Sequence, residues 1–324
     1  MDAAAVLGLP LLEGDLERIE PLLTSSVSAG DPFLDEVATH LIAAGGKRLR
    51  PLLALASATG GEHPASEADL LGGVAVELVH LASLYHDDVI DEATMRRSVE
   101  SVNSRFGNLV AIVAGDYLLS RSAEIAAGLG TEIAGLLATT LGRLCQGQVA
   151  EVRAAFSVTR TADQYFDAIA GKTAALMATS CRIGALTGGR DTEEVEALTA
   201  FGRCFGMVFQ LRDDVMDVVS SEDELGKPPG QDLAEGVYTL PVLRALEDRD
   251  VGPELATLLG QALGQPERDK ARSMVAASSG IADTVAFGRR YAADAAAATA
   301  GVRSRRLASG LAALTDSLFD GQFQ

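Results

Sequence analysis

LLGGVAVELVHLASLYHDDVID, residues 70–91, decides the fold. From Leu70 to Tyr85 the run is apolar but for Glu77 and His80, and then three aspartates fall within five positions. It is too long for a buried strand and shows no period-two alternation, so it reads as a helix. Being apolar almost all round until its C-terminal end, that helix belongs in the middle of a bundle. On it Asp87 and Asp91 are i and i+4, one turn apart on one face, with Asp88 roughly 100° round. His80, seven residues before Asp87, shares their stripe. A second run, FQLRDDVMDVV at 209–219, repeats the arrangement with Asp213, Asp214 and Asp217, and Gln210 lies one turn upstream.

Like charges at the end of an apolar helix need a partner. Carboxylates gathered in a low-dielectric cavity repel one another and raise their own pKa values unless cations lie between them. Magnesium suits such a set, because it prefers oxygen and is held by one or two carboxylates plus substrate phosphates. Calcium in a helix-loop-helix site would need ligands on a Gly-turned loop, which neither run offers. One acidic run alone usually belongs to a solvated helix face. Two identical spacings on two apolar helices point instead to a metal site.

The rest of the chain agrees with an all-α protein. Alanine and leucine dominate, and helices read at roughly 13–28, 31–44, 48–59, 66–92, 109–128, 131–155, 162–187, 191–220, 239–247, 251–264, 266–278, 281–301 and 304–319. Turns fall at Gly45-Gly46, Gly60-Gly61, Gly188-Gly189 and Pro228-Pro229-Gly230. No low-complexity linker divides the 324 residues, so one domain, 1–324, is the economical reading. A net charge of −18 without a local basic surface excludes nucleic acid as partner. No signal segment or membrane span is indicated, and contact with a membrane would be at most peripheral. Cys145, Cys181 and Cys204 form no metal spacing and no disulfide framework, which suits a cytoplasmic location and three buried small side chains.

Lysine is scarce beside arginine, and three of the four lysines stand in Gly- or Pro-containing motifs: Lys47 in GGKRLRP, Lys172 in GKT and Lys227 in GKPPG. They either sit near helix ends, where cations suit the dipole, or serve as point charges against phosphate.

From GGKRLRP near residue 45 to EGVYTLP near 241, these motifs and their order resemble the trans-type polyprenyl diphosphate synthases. These are head-to-tail prenyltransferases with the isoprenoid synthase fold, a helical bundle around a central apolar cavity. In that family the two aspartate motifs face each other and hold three magnesium ions against an allylic diphosphate. The resemblance assigns metal binding to Asp87, Asp88, Asp91, Asp213, Asp214 and Asp217. It assigns isopentenyl diphosphate to Lys47, Arg50, His80 and Arg97. The allylic diphosphate falls to Arg96, Lys172, Thr173, Gln210 and Lys227. Catalysis is expected to rest on Asp87, Asp88, Asp91, Lys172, Asp213 and Asp214, in a protein that is a homodimer. Taken singly, Arg96 and Arg97 also read as surface residues, His80 as a core histidine, and Thr173 as bonding its own backbone.

Two departures stand out. The family often carries lysine where this chain has Val237, and a Gly-x-Pro where this chain has Ser98-Val99-Glu100. Product length follows the helix that holds His80, because bulky residues four or five before the first aspartate stop growth in the family. Here Ala82 and Ser83 are small. Ser83 lies about 40° from Asp87 and Ala82 about 140° round, so the role of Ala82 rests on the resemblance. Val76, about 16 Å before Asp87, is the next floor. A long-chain product is expected, with farnesyl or geranylgeranyl diphosphate as alternatives. A class I terpene cyclase would lack GGKRLRP and carry an Asn/Ser/Glu-type second motif. A non-catalytic subunit would have lost metal or diphosphate residues.

Overall fold

A computed structural model describes residues 2–221 and 229–319. Among these residues the only strands are a two-stranded ladder of Met95–Arg96 and Val99–Glu100, and the remaining regular structure is helical. The chain divides into two compact units. The first comprises Met1–Gly142, Leu176–Gly202 and Ala298–Leu314, and the second Arg143–Ala175, Arg203–Ala297 and Thr315–Gln324.

The first unit is organised on the Glu67–Ile90 helix. Its start is fixed by a capping box, in which the Ser66 hydroxyl accepts from the Asp69 N–H and the Asp69 carboxylate accepts from the Ser66 N–H. It packs on the Asn108–Leu129, Leu49–Thr59 and Leu12–Ser26 helices. Val74, Ala75, Val76, Leu78, Leu81 and Ala82 have no exposed surface. Burying a Val or Leu side chain is worth about 1.5–3 kcal/mol, so this helix supplies much of the core energy. Two hydrogen bonds pin it sideways: Tyr85 donates to the Val37 carbonyl at 2.7 Å, and Ser122 donates to the Ala75 carbonyl at 2.8 Å. The helix is long and apolar enough to cross a membrane, yet 72% of its apolar window is buried inside the protein.

Its C-terminus comes sooner than the sequence pattern suggests. The helix stops at Ile90 with Asp91 as cap, whose N–H still donates to the Asp87 carbonyl at 2.8 Å. Asp87 and Asp91 therefore keep their one-turn spacing. Glu92 then turns left-handed at φ 50° and the chain enters the ladder. Arg97 and Ser98, at φ 52° and 63°, occupy the two central positions of its turn. Two successive positive φ values make a type I′ hairpin, whose twist matches that of the strands. The turn thus forms without the glycine usually found there.

In the second unit the core gathers around Tyr165, Phe205, Leu211, Val215, Leu243, Leu255 and Val275. Thr161 and Gln164 form the capping box that opens the Ala162–Ile169 helix. The expected continuous helix over 162–187 is interrupted here, because Ala170–Ala174 forms a π-turn before Ala175–Thr187. The cause is packing. A Cβ on Gly147 would lie 2.6 Å from the Lys172 nitrogen and 2.8 Å from the Ala168 carbonyl oxygen. Only two facing glycines, Gly147 and Gly171, let the backbones approach so closely. Sequence patterning also missed the short Ala3–Leu7, Val102–Phe106 and Gln231–Ala234 helices, and it overextended Gly252–Leu258.

Candidate active site

The GGKRLRP segment and the Glu67–Ile90 helix build a cation cluster within the first unit. Arg48 is buried and doubly anchored: its Nε donates to Glu20 at 2.6 Å and its Nη1 to Glu77 at 3.0 Å. Arg97 donates to the Leu41 carbonyl at 3.3 Å and to the Gly45 carbonyl, and its Nη2 lies 4.0 Å from Glu77. Gly46 takes φ 155°, a conformation that L side chains rarely adopt, and a Cβ there would displace the Arg97 guanidinium, 2.8 Å away at Cζ. Burial, with a further push from Arg97 and opposed by Glu77, brings the Arg50 guanidinium down to about 10. Lys47 is exposed at the edge of this segment.

His80, three residues after Glu77, is held well below the usual imidazole range, first by burial and then by Arg50, Arg97, Arg48 and Arg96. It is therefore neutral at pH 7. The linkage has a definite sign. Below about pH 6.5 the unfolded chain takes up a proton that folded His80 refuses, so its contribution to stability is present above that pH and is lost as pH falls. With Glu77 and the four arginines unchanged, wild type should lose more Tm than His80→Gln between pH 6.5 and 5. Parallel melting curves for the two proteins would mean that His80 is protonated in the cluster.

At the end of the same helix Asp88 is fully buried. Arg96 donates to Asp88 Oδ1 through Nε at 2.7 Å, with Nη2 at 2.6 Å from the same oxygen. The expected role of Arg96 as an allylic-diphosphate contact meets this competing engagement. Burial raises the Asp88 pKa, Arg96 opposes that rise, and Asp91 adds to it. Asp87 is half-buried and Asp91 exposed.

The second unit brings together Lys172, Thr173, Gln210 and Asp214. Lys172, on the π-turn, pairs with Glu151, one turn beyond Gly147. Thr173 donates to Gln210 Oε1 at 2.7 Å, Gln210 donates to Asp214 Oδ1 at 2.8 Å, and Tyr165 donates to Asp214 Oδ2. Burial lifts the Asp214 carboxyl to about 7, although both hydrogen bonds pull it down. Asp213 is half-buried beside Arg212. Asp217 is buried, and its Oδ2 accepts from the Asp232 N–H at 3.3 Å. Arg272 donates to the Val218 and Ser220 carbonyls and so closes the end of this acidic helix. Lys227 lies outside the described residues.

The donor set suits a hard divalent cation. All six candidate ligands offer carboxylate oxygen, and Asp88 Oδ2 is buried without a hydrogen-bond donor. Among the described residues no three His, Cys, Asp or Glu side chains converge as a closed cage. Magnesium tolerates this, because substrate phosphate and water complete its shell. Of the chain-length candidates, Ser83 keeps accessible surface and donates to the His80 carbonyl at 2.8 Å, while Val76 and Ala82 are enclosed.

Sequence reasoning missed Glu77, Arg48, Glu151 and Tyr165. A charge inside an apolar run, as at Glu77, was the available signal, for such a charge persists in a core only when paired. The other three depend on tertiary neighbours.

Paired acidic motifs on two helices, with arginines held by carboxylates, have the chemistry that suits a diphosphate and a divalent metal. Residues 31–277 match the family model described as polyprenyl synthetase. A nonaprenyl diphosphate synthase from Mycobacterium tuberculosis is 39% identical over 282 residues, covering 86% of this chain and 84% of that one. A heptaprenyl diphosphate synthase component 2 from Geobacillus stearothermophilus is 40% identical, covering 87% and 86%. Among solved structures, a polyprenyl synthase from Caulobacter crescentus, complexed with calcium and isoprenyl diphosphate, superposes with TM-score 0.89 at 30% identity, covering 95% of each chain. The chain belongs to the polyprenyl synthetase family and has its all-α isoprenoid synthase fold: it is a trans-polyprenyl diphosphate synthase, a prenyltransferase of isoprenoid biosynthesis.

Proposed function

We propose that this enzyme condenses isopentenyl diphosphate with an allylic prenyl diphosphate to make a long-chain all-trans polyprenyl diphosphate. The observation that carries this reading lies in the first unit, where one helix bears both His80, in a cluster of arginines, and the aspartates at its end. Isopentenyl diphosphate belongs with Lys47, Arg50, His80 and Arg97. The allylic diphosphate belongs with Lys172, Thr173 and Gln210, joined by Arg96 once it leaves Asp88, and by Lys227. Ionisation breaks the allylic C–O bond, the double bond of isopentenyl diphosphate attacks the resulting cation, and a proton leaves to the departed diphosphate. Fixed cations lower the barrier by stabilising charge as it develops on the leaving group. Apolar walls exclude the water that would capture the cation.

The metal reading is divalent-ion dependence, specifically magnesium with three ions, held by Asp87, Asp88, Asp91, Asp213, Asp214 and Asp217. When bound, the ions would neutralise charge on the diphosphate. The calcium in the Caulobacter relative supports a divalent requirement. We read the chain as one functional domain in a cytoplasmic enzyme with at most peripheral membrane contact. A homodimer is supported by Leu109, Ile112 and Val113, which leave an exposed apolar stripe on the Asn108–Leu129 helix. The component 2 name of one relative adds the possibility of a second subunit type. Activity of the purified chain alone distinguishes the two assemblies.

Product length tests the long-chain reading. Mass analysis after incubating labelled isopentenyl diphosphate with a farnesyl primer should show products beyond geranylgeranyl. Ser83→Phe should shorten them while the first condensation continues, since the added ring lies one turn from Asp87. A wild type that stops at geranylgeranyl, or an unchanged distribution in the variant, refutes it.

A further inference from the structure

Two arginines among the described residues are buried, Arg48 and Arg160, each with 7% of its surface exposed. Their surroundings differ. Arg48 is held by the carboxylates of Glu20 and Glu77. The Arg160 guanidinium donates only through Nη1, to the Tyr238 carbonyl at 3.1 Å, and its Nε is buried without a partner. Its guanidinium rests over the Tyr165 ring at 5.5 Å. A buried cation is costly unless an anion meets it. The second unit gives Arg160 none by direct contact, although its field reaches Glu151, Tyr165 and Asp214.

Those neighbours locate the missing anion. Glu151 is the partner of Lys172, and Tyr165 donates to Asp214, which Gln210 links to Thr173. Arg160 therefore borders, inside the second unit, the residues read as holding the allylic diphosphate. The one hydrogen bond of its side chain goes to the residue next to Val237. We propose that Arg160 is a further binding residue for the allylic diphosphate, supplying from the 157–161 turn the cation that Val237 cannot. A guanidinium suits this task, since its fixed fork matches two phosphate oxygens at once. The Tyr238 carbonyl and the Tyr165 ring aim the side chain before substrate arrives, which reduces the ordering cost of binding.

This assignment rests on the allylic reading of Lys172, and the experiment separates the two. Arg160→Gln, Lys172→Ala and wild type are titrated calorimetrically with farnesyl thiodiphosphate, whose sulfur bridge resists ionisation, and KM is measured for both substrates. Arg160→Gln should weaken binding of the analogue and raise the primer KM about tenfold or more, leaving the KM for isopentenyl diphosphate within twofold. Adding Val237→Lys to that variant should recover most of the loss, which a purely structural role for Arg160 would not allow. If Lys172→Ala weakens the analogue and Arg160→Gln does not, the inference fails and the site reading stands. If neither variant weakens it, the allylic reading itself fails. Should Arg160→Gln not fold, Val237→Lys alone decides: with Arg160 already serving the diphosphate it gains less than twofold in affinity, and a tenfold gain overturns the proposal.

Discussion

Asp87→Ala should lower turnover by about a hundred- to a thousandfold at saturating magnesium while leaving the metal-free protein as stable as wild type or slightly more so. The expected size follows from a metal ligand that supplies several kcal/mol of charge stabilisation, at 1.36 kcal/mol per tenfold in rate. The unchanged stability follows from the neighbours. Asp87 is the neighbour of buried Asp88 and lies one turn before the cap residue Asp91, and Asp91 already raises the pKa of Asp88. Removing one carboxylate from that group relieves repulsion, and the Asp91 N–H still finds the Asp87 carbonyl, which is backbone and survives the substitution. Steady-state kinetics and melting in chelator together check it. Retention of half the wild-type turnover would remove Asp87 from the metal site.

Gly147→Ala should be nearly as damaging to activity, although it adds a single uncharged methyl group. The new Cβ would meet backbone at 2.6–3.1 Å on Lys172, Ala168 and Gly171, none of which can rotate away. The π-turn must then shift bodily, taking Lys172 and Thr173 with it. A displacement approaching 1 Å costs on the order of a hundredfold in rate, and overpacking of this kind costs about 1–3 kcal/mol in stability. The loss should appear in kcat/KM for the allylic substrate, with the KM for isopentenyl diphosphate preserved. Gly142→Ala is the control: nothing lies within 4 Å of its Cβ, so helix propensity should make that variant more stable by about 0.5–1 kcal/mol. Equal behaviour of the two variants would show that the glycine contact does not position Lys172.

The contrast between these positions marks how far the sequence could be read. Helix placement was legible because it rests on periodicity and caps, which are local. The aspartate motifs were legible for the same reason, since i and i+4 spacing survives any tertiary arrangement, even a helix that stops at Ile90. The turn after Arg97 was not, because two left-handed residues without glycine carry no sequence signature. Nor was the π-turn, whose cause is the backbone of another helix. Arg96 read as a diphosphate contact, and only coordinates could place its guanidinium on Asp88. Glu77 was visible as an interruption, but its partners, Arg48 and Arg97, come from segments 29 and 20 positions away.

The hairpin at Arg97 and Ser98 makes the two neighbouring arginines diverge. Arg96 delivers its charge to Asp88, while Arg97 delivers its charge to the Gly45 carbonyl and towards Glu77. Arg96 ends the first strand whereas Arg97 opens the left-handed turn, so the pair is sorted by position in the hairpin rather than by identity. A single residue inserted between Met95 and Arg96 would leave every functional side chain in the chain and yet send both guanidinium groups to the wrong addresses. Counting arginines therefore understates what this segment encodes: the reading frame of the ladder is itself part of the active site, and a change in its length is a heavier lesion than the loss of either cation.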